Sequence, residues 1–139
     1  MTVPIFGGDG WESEDLIKIG KDAVEGTYFS THAAADSPEP RVKGFVEMYK
    51  KRWKNSDGTP KTPDAMAMLG YDSVMILADA MKRAGTTGGQ QVRDALAVTK
   101  GFEGVSGKIT IDAKRDATKP MVILQIKGGQ FKLVETVNP

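Results

Sequence analysis

A mixed α/β fold is what this sequence predicts, and three observations predict it. Residues 3–6 form a short apolar run that stops at Gly7-Gly8-Asp9-Gly10, the pattern of a strand followed by a tight loop. The middle of the chain carries apolar residues at helical spacing. From residue 108 onward, short alternating or wholly apolar runs replace that spacing. Strands at both ends with helices between them give the order β-α-β-α-α-α-β-β-β, a mixed sheet with flanking helices.

Each element has its own justification. Ser13 ahead of Glu14 and Asp15 is an N-cap with acids in the first turn, so a short helix is expected over 14–19, ended by Gly20. Residues 25–31 are rich in β-branched and aromatic side chains and predict a second strand. Pro38 and Pro40 break the loop that follows. Over 41–53, Val42, Phe45, Val46, Tyr49 and Trp53 share one helical face, with Arg41, Lys43, Glu47, Lys50, Lys51 and Arg52 opposite. A turn over 55–60 closes this helix. Thr62 is the expected N-cap of the longest helix, with Pro63 at its first position and Asp64 complementing its dipole. Met66, Met68, Leu69, Val74, Met75, Leu77 and Met81 cover more than one of its faces, so it is expected to be largely buried. Lys82-Arg83-Ala84-Gly85 ends it. A third helix is expected over 90–99. Residues 108–112 alternate, residues 121–126 read as a strand covered on both faces, and Lys127-Gly128-Gly129-Gln130 reads as a hairpin turn before a last strand.

Composition narrows the function. The 139 residues fit one domain, and 19 basic against 18 acidic side chains leave a net charge of +1, which argues against a nucleic-acid binder. With no cysteine, thiol nucleophiles, disulfides and Cys-based metal centres are excluded, and the lone His32 excludes a multi-histidine metal site. No apolar run approaches the ~20 residues of a membrane span. The run Met1 to Ile5 has neither a basic region nor a long apolar stretch, so no signal peptide is read there.

Seven pieces of the chain carry a resemblance: Phe6-Gly7-Gly8-Asp9-Gly10-Trp11, Ala23-Val24-Glu25-Gly26-Thr27-Tyr28-Phe29, Phe45-Val46-Glu47-Met48-Tyr49-Lys50-Lys51, Leu69-Gly70-Tyr71-Asp72-Ser73-Val74, Asp79-Ala80-Met81-Lys82-Arg83-Ala84-Gly85, Phe102-Glu103-Gly104-Val105-Ser106-Gly107-Lys108-Ile109 and Gln125-Ile126-Lys127-Gly128-Gly129-Gln130-Phe131. In this order they resemble the C-terminal part of the type I periplasmic solute-binding proteins of ABC transporters, the branched-chain amino-acid (Leu/Ile/Val) group. The resemblance implies a partial, Rossmann-like fold, with two lobes joined by hinge crossings and a ligand closed between them. Residues 1–26 and about 105–139 would belong to the second lobe, and about 27–104 to a hinge crossing and first-lobe helices. It further implies an amino-acid ligand, a membrane permease as partner, a periplasmic setting, no cofactor and no enzymatic activity. A truncated member, begun at an internal or engineered start, is expected to complete its sheets by domain swapping or as a homo-oligomer.

Asp9 is the leading functional candidate. It lies in a glycine loop at the C-terminal end of a strand, where open α/β sheets bind ligands, and a carboxylate there can accept charge-assisted hydrogen bonds from an ammonium group. The resemblance assigns it that role; the alternative is an Asx turn in which Asp9 caps its own backbone. Gly8 and Gly10 flank it in the same loop. Trp11 either covers the ligand's apolar side chain or packs under the loop as core. Tyr71 either reaches the cleft or is core with its hydroxyl tied off.

Other candidates have plainer readings. Gly7-Gly8-Asp9-Gly10 matches neither phosphate-loop pattern. His32 has no nucleophile beside it and reads as a loop hydrogen-bonder. Met66, Met68, Met75 and Met81 read as core filler rather than an adaptable binding surface. Lys50-Lys51-Arg52-Trp53-Lys54 reads as a solvated helix end. Two other functions stay open: a nucleotide- or flavin-using enzyme domain, which would need a phosphate loop or a nucleophile with its base, and a structural module that associates through uncovered apolar faces.

Overall fold

The structure is a computed structural model that describes residues 3–139; Met1 and Thr2, which open the N-terminal run read above, lie outside the described residues. The order of elements is β1 (Phe6–Gly7), a 3-10 turn (Asp9–Trp11), α1 (Glu14–Gly20), a second 3-10 turn (Lys21–Ala23), β2 (Tyr28–Thr31), α2 (Pro40–Arg52), α3 (Ala65–Ala84), α4 (Gly89–Ala97), β3 (Phe102–Gly104), β4 (Gly107–Ile111), β5 (Ala117–Thr118), β6 (Met121–Ile126) and β7 (Phe131–Val137). The mixed α/β class holds. The short strands β3 and β5 are additions that two or three residues cannot announce by periodicity.

The strands form a four-stranded sheet in the order β1-β2-β6-β7 and a three-stranded sheet in the order β3-β4-β5. β1 pairs parallel with β2, Phe6 opposite Tyr28, and the remaining pairings are antiparallel. The hairpin between β6 and β7 turns at Gly128 and Gly129, both with positive φ (60° and 66°), as a type I′ turn demands.

Two apolar cores result. One lies on the larger sheet: Phe29, Ala34, Val122, Leu124 and Ile126, with Trp11, Leu16, Ile17, Val24, Phe131 and Leu133 packed against them. The other is helical: Ala33, Val42, Phe45, Val46, Ala65, Met68 and Val105, flanked by Ala35 and Tyr49. The consecutive residues Ala33 and Ala34 belong to different cores, so the segment after β2 is where the two meet.

Asp72 fastens α3 to the second sheet. Its buried carboxylate accepts hydrogen bonds from the Val105 and Ser106 amides and the Ser106 hydroxyl, each at 2.7 Å. A side chain on Gly104 would put its Cβ within 2.6 Å of that carboxylate, so this close approach requires glycine.

Several expectations are corrected. Asp64, not Thr62, caps α3: its side chain accepts from the Ala67 amide at 2.8 Å, and Pro63 precedes the cap. The helix is not largely buried. Only Ala65, Met68, Asp72, Ile76 and Ala80 are, a single stripe spaced by three and four, while Met66, Val74, Met75 and Leu77 face outward. Trp53 leaves the apolar stripe of α2 because the helix ends at Arg52 and Trp53 is already extended, with its side exposed. The strand read over 25–31 begins only at Tyr28, since Gly26 turns the chain with φ +79°. β6 is not covered on both faces: Val122, Leu124 and Ile126 point into the sheet core, and Met121 is exposed. Ser13 does cap α1, accepting from the Asp15 amide, and Gly85 ends α3 in the left-handed conformation.

Candidate functional site

The glycine loop after β1 is shaped by one aromatic ring. Trp11 folds back under the loop, and a Cβ on Gly7 would meet its ring carbons at 2.3–2.8 Å, so Gly7 allows the ring to lie on the backbone. Trp11 is partly buried and packs on the sheet core. Gly8 and Gly10, by contrast, are exposed, with open space where side chains would stand.

Asp9 begins the 3-10 turn between them. Among the described residues, its carboxylate accepts no main-chain hydrogen bond, so the Asx turn weighed above does not form. Its side chain is about half exposed (52%), and the His32 imidazole stands beside it, with Nε2 3.4 Å from Asp9 Oδ2. His32 follows directly on β2, and its carbonyl accepts a 2.8 Å hydrogen bond from Lys119 Nζ. Burial lowers the Lys119 pKa, opposed by the Asp72 carboxylate. The turn therefore offers a half-exposed carboxylate, an imidazole beside it and the exposed glycines Gly8 and Gly10.

Tyr71 is elsewhere. Its ring packs 4.9 Å from that of Phe45, and it lines a groove of about 560 Å³ between α2 and α3 with Met48, Met75 and Phe102. None of Gly8, Asp9, Gly10 and Trp11 lines that groove, so the structure does not bring Tyr71 to the loop. Among the described residues no group of three or more His, Asp and Glu side chains is placed to hold a metal ion.

Glu12, which sequence reasoning passed over, is the best-connected side chain of the region. Its Oε2 accepts from the Thr31 hydroxyl at 2.7 Å and its Oε1 from the Ala65 amide at 3.0 Å. Burial pushes its carboxyl up to about 7, against the lowering effect of those two hydrogen bonds, and Asp64 and Asp9 push in the same direction as burial. No local motif marks it, because its partners stand 19 and 53 residues away in sequence.

A match to the family described as periplasmic binding protein runs over residues 2–130. The chain belongs to the periplasmic binding protein family. Within it, the chain is 30% identical over 124 residues to the Leu/Ile/Val-binding protein homolog 1 of Brucella suis, covering 89% of this chain and 31% of that protein. The Brucella abortus counterpart is 32% identical over 126 residues, with the same coverage. Among solved structures, the leucine-binding protein LivK of Thermotoga maritima superposes with a TM-score of 0.85 at 38% identity, over 100% of this chain and 38% of that one. LivJ of Streptococcus pneumoniae, solved with isoleucine, gives 0.82 at 29% identity, over 98% of this chain and 37% of that one. These relatives are named as binding proteins, LivJ as that of a branched-chain amino-acid transporter, and none as an enzyme; the fold is that of the type I periplasmic binding proteins. The chain spans about a third of the length of the relatives it matches.

Proposed function

We propose that this chain carries the ammonium-binding side of a branched-chain amino-acid site, in a solute-binding protein of an ABC transporter. The observation that carries the reading is the Asp9 carboxylate: half exposed, at the C-terminal end of β1, and not used up by its own backbone. Such a carboxylate holds an α-ammonium through charge-assisted hydrogen bonds. The open backbone of Gly8 and Gly10 lets a ligand approach. Trp11 supplies an apolar surface beside the carboxylate while anchoring the loop from below.

In this reading β1, α1 and the β6–β7 hairpin belong to one lobe, and the helices, with the β3–β4–β5 sheet that Asp72 ties to α3, to the other. The ligand's carboxylate is held by hydroxyls and amides of first-lobe segments outside these 139 residues. The setting is extracytoplasmic, and the closed, loaded protein delivers to a membrane permease. Names of relatives that bind leucine or isoleucine, and of Leu/Ile/Val-binding homologues, support this ligand class. The outward Met66, Val74, Met75 and Leu77 support a further expectation, that the chain on its own self-associates through α3. Size-exclusion chromatography with light scattering checks it, and a monomer at high concentration contradicts it.

Calorimetric titration with leucine, isoleucine and valine tests the site. The expected result is weak saturable heat, at affinities on the order of millimolar, that vanishes in Asp9→Ala. Equal heat in Asp9→Ala, or none from the unaltered chain, overturns the reading.

A further inference from the structure

Glu12 stands three residues beyond Asp9, at the far end of the same loop. One of its carboxylate oxygens meets Thr31, the last residue of β2, and the other meets Ala65, the first residue of α3. The loop has no comparable side-chain tie to α3 among the described residues. The Ala65 amide is one of the donors that a helix start leaves without an intrahelical partner, so an outside acceptor there fixes where the helix begins.

We propose that Glu12 is the positioning residue of the Asp9 loop, clasping it at once to the end of β2 and to the start of α3. The clasp survives a change of charge. As carboxylate, both oxygens accept. As acid, Oε1 still accepts from Ala65, while the O–H on Oε2 donates to the Thr31 hydroxyl oxygen. What changes is the field: the ionised form adds a negative charge beside Asp9, and the neutral form removes it.

Burial places this change near neutrality, with the Glu12 carboxyl at about 7. The charged groups that face it come from several elements. Asp9 lies on its own loop with the His32 imidazole of the segment after β2 at 3.4 Å, and Asp64 caps α3. Glu14, Asp15 and Lys18 of α1, Asp36, Lys50 of α2, Lys61 and Lys132 of β7 line the clefts that Glu12 shares. Thus acidification weakens the pull on a ligand ammonium without releasing the loop. This consequence for binding rests on the ligand role of Asp9; the positioning role does not.

The test follows backbone amide NMR signals of the 139-residue chain with pH. The expected result is that the amides of Ala65, Gly10 and Trp11 titrate together with a midpoint of about 7. In Glu12→Gln the Ala65 titration disappears, its signal staying near the acid-limit position, and the Gly10 and Trp11 signals lose the part of their titration that follows Ala65. In Thr31→Val the loop signals move while Ala65 still titrates. Should Glu12→Ala not fold, these two variants still decide. Loop signals that titrate unchanged in Glu12→Gln, a flat Ala65 in the unaltered chain, or loop signals unmoved by Thr31→Val overturn the proposal. Leucine titrated into the same samples separates the two readings. Affinity rising a few-fold from about pH 6 to about pH 8, and flat in Glu12→Gln, supports the binding consequence. No response to leucine in any sample removes the ligand role of Asp9 and that consequence with it, while the amide titrations judge the positioning role by themselves.

Discussion

The sheet region around Phe29 and the helical region around Met68 use the same raw material to different ends. In the first, Phe29, Leu124 and Ile126 are almost wholly enclosed, with α1, Trp11 and β7 packed on them. In the second, α3 buries one stripe on α2, α4 and β3 and turns Met66, Val74, Met75 and Leu77 to the outside. Both regions are rich in apolar residues in sequence. The contrast teaches that apolar density specifies a need for cover, and that cover depends on what else the chain brings. The described residues close the sheet core and leave one face of α3 open.

Substitutions in the two regions test the difference. Leu124→Ala removes an enclosed side chain and is expected to cost about 3–4 kcal/mol in denaturant unfolding, whereas Met75→Ala changes stability by no more than ~0.5 kcal/mol. Comparable losses at the two positions would mean that the α3 face is covered in solution. Asp72→Ala strands the Val105 and Ser106 amides and is expected to cost roughly 2–3 kcal/mol, because α3 then loses its tie to the second sheet.

A next smaller effect depends on pH. The Glu12 carboxyl is raised to about 7 in the folded chain from 4.5, so the fold binds its proton more tightly than the unfolded chain does. The stability this lends is fully present below about 4.5 and is lost as pH rises through about 7. Urea unfolding should therefore give roughly 2 kcal/mol less stability at the alkaline end from this group, and Glu12→Gln should flatten the difference. A pH profile identical in Glu12→Gln would remove the clasp from the account. Smallest is the cap: Asp64→Ala should cost about 1 kcal/mol, and Thr62→Ala almost nothing.

These sites also show what the sequence made legible. Ser13, Gly85 and the Gly128-Gly129 hairpin act within a few residues, so local chemistry announces them. Asp9 was visible for the same reason, since a strand, a glycine loop and a carboxylate sit together. Capping by Asp64 rather than Thr62 was not, because both residue types cap and the choice depends on where Glu12 receives the Ala65 amide. The long-range links are silent in one dimension. Glu12 to Ala65, Asp72 to Ser106, and His32 to Asp9 join segments that only the fold brings together. The one-sided burial of α3 and the placement of Tyr71 against Phe45, away from the loop, are of that kind as well.

The proposed role of Asp9 is recognition of an ammonium group. It is tested most directly by titrating the chain with leucine and, in parallel, with 4-methylpentanoate, the same skeleton without the amine, while following the Gly8 and Gly10 amide signals. The account predicts that leucine shifts both signals, that the deaminated acid does not, and that Asp9→Ala abolishes the response to leucine. Equal shifts from both compounds, or a leucine response that survives in Asp9→Ala, would contradict it.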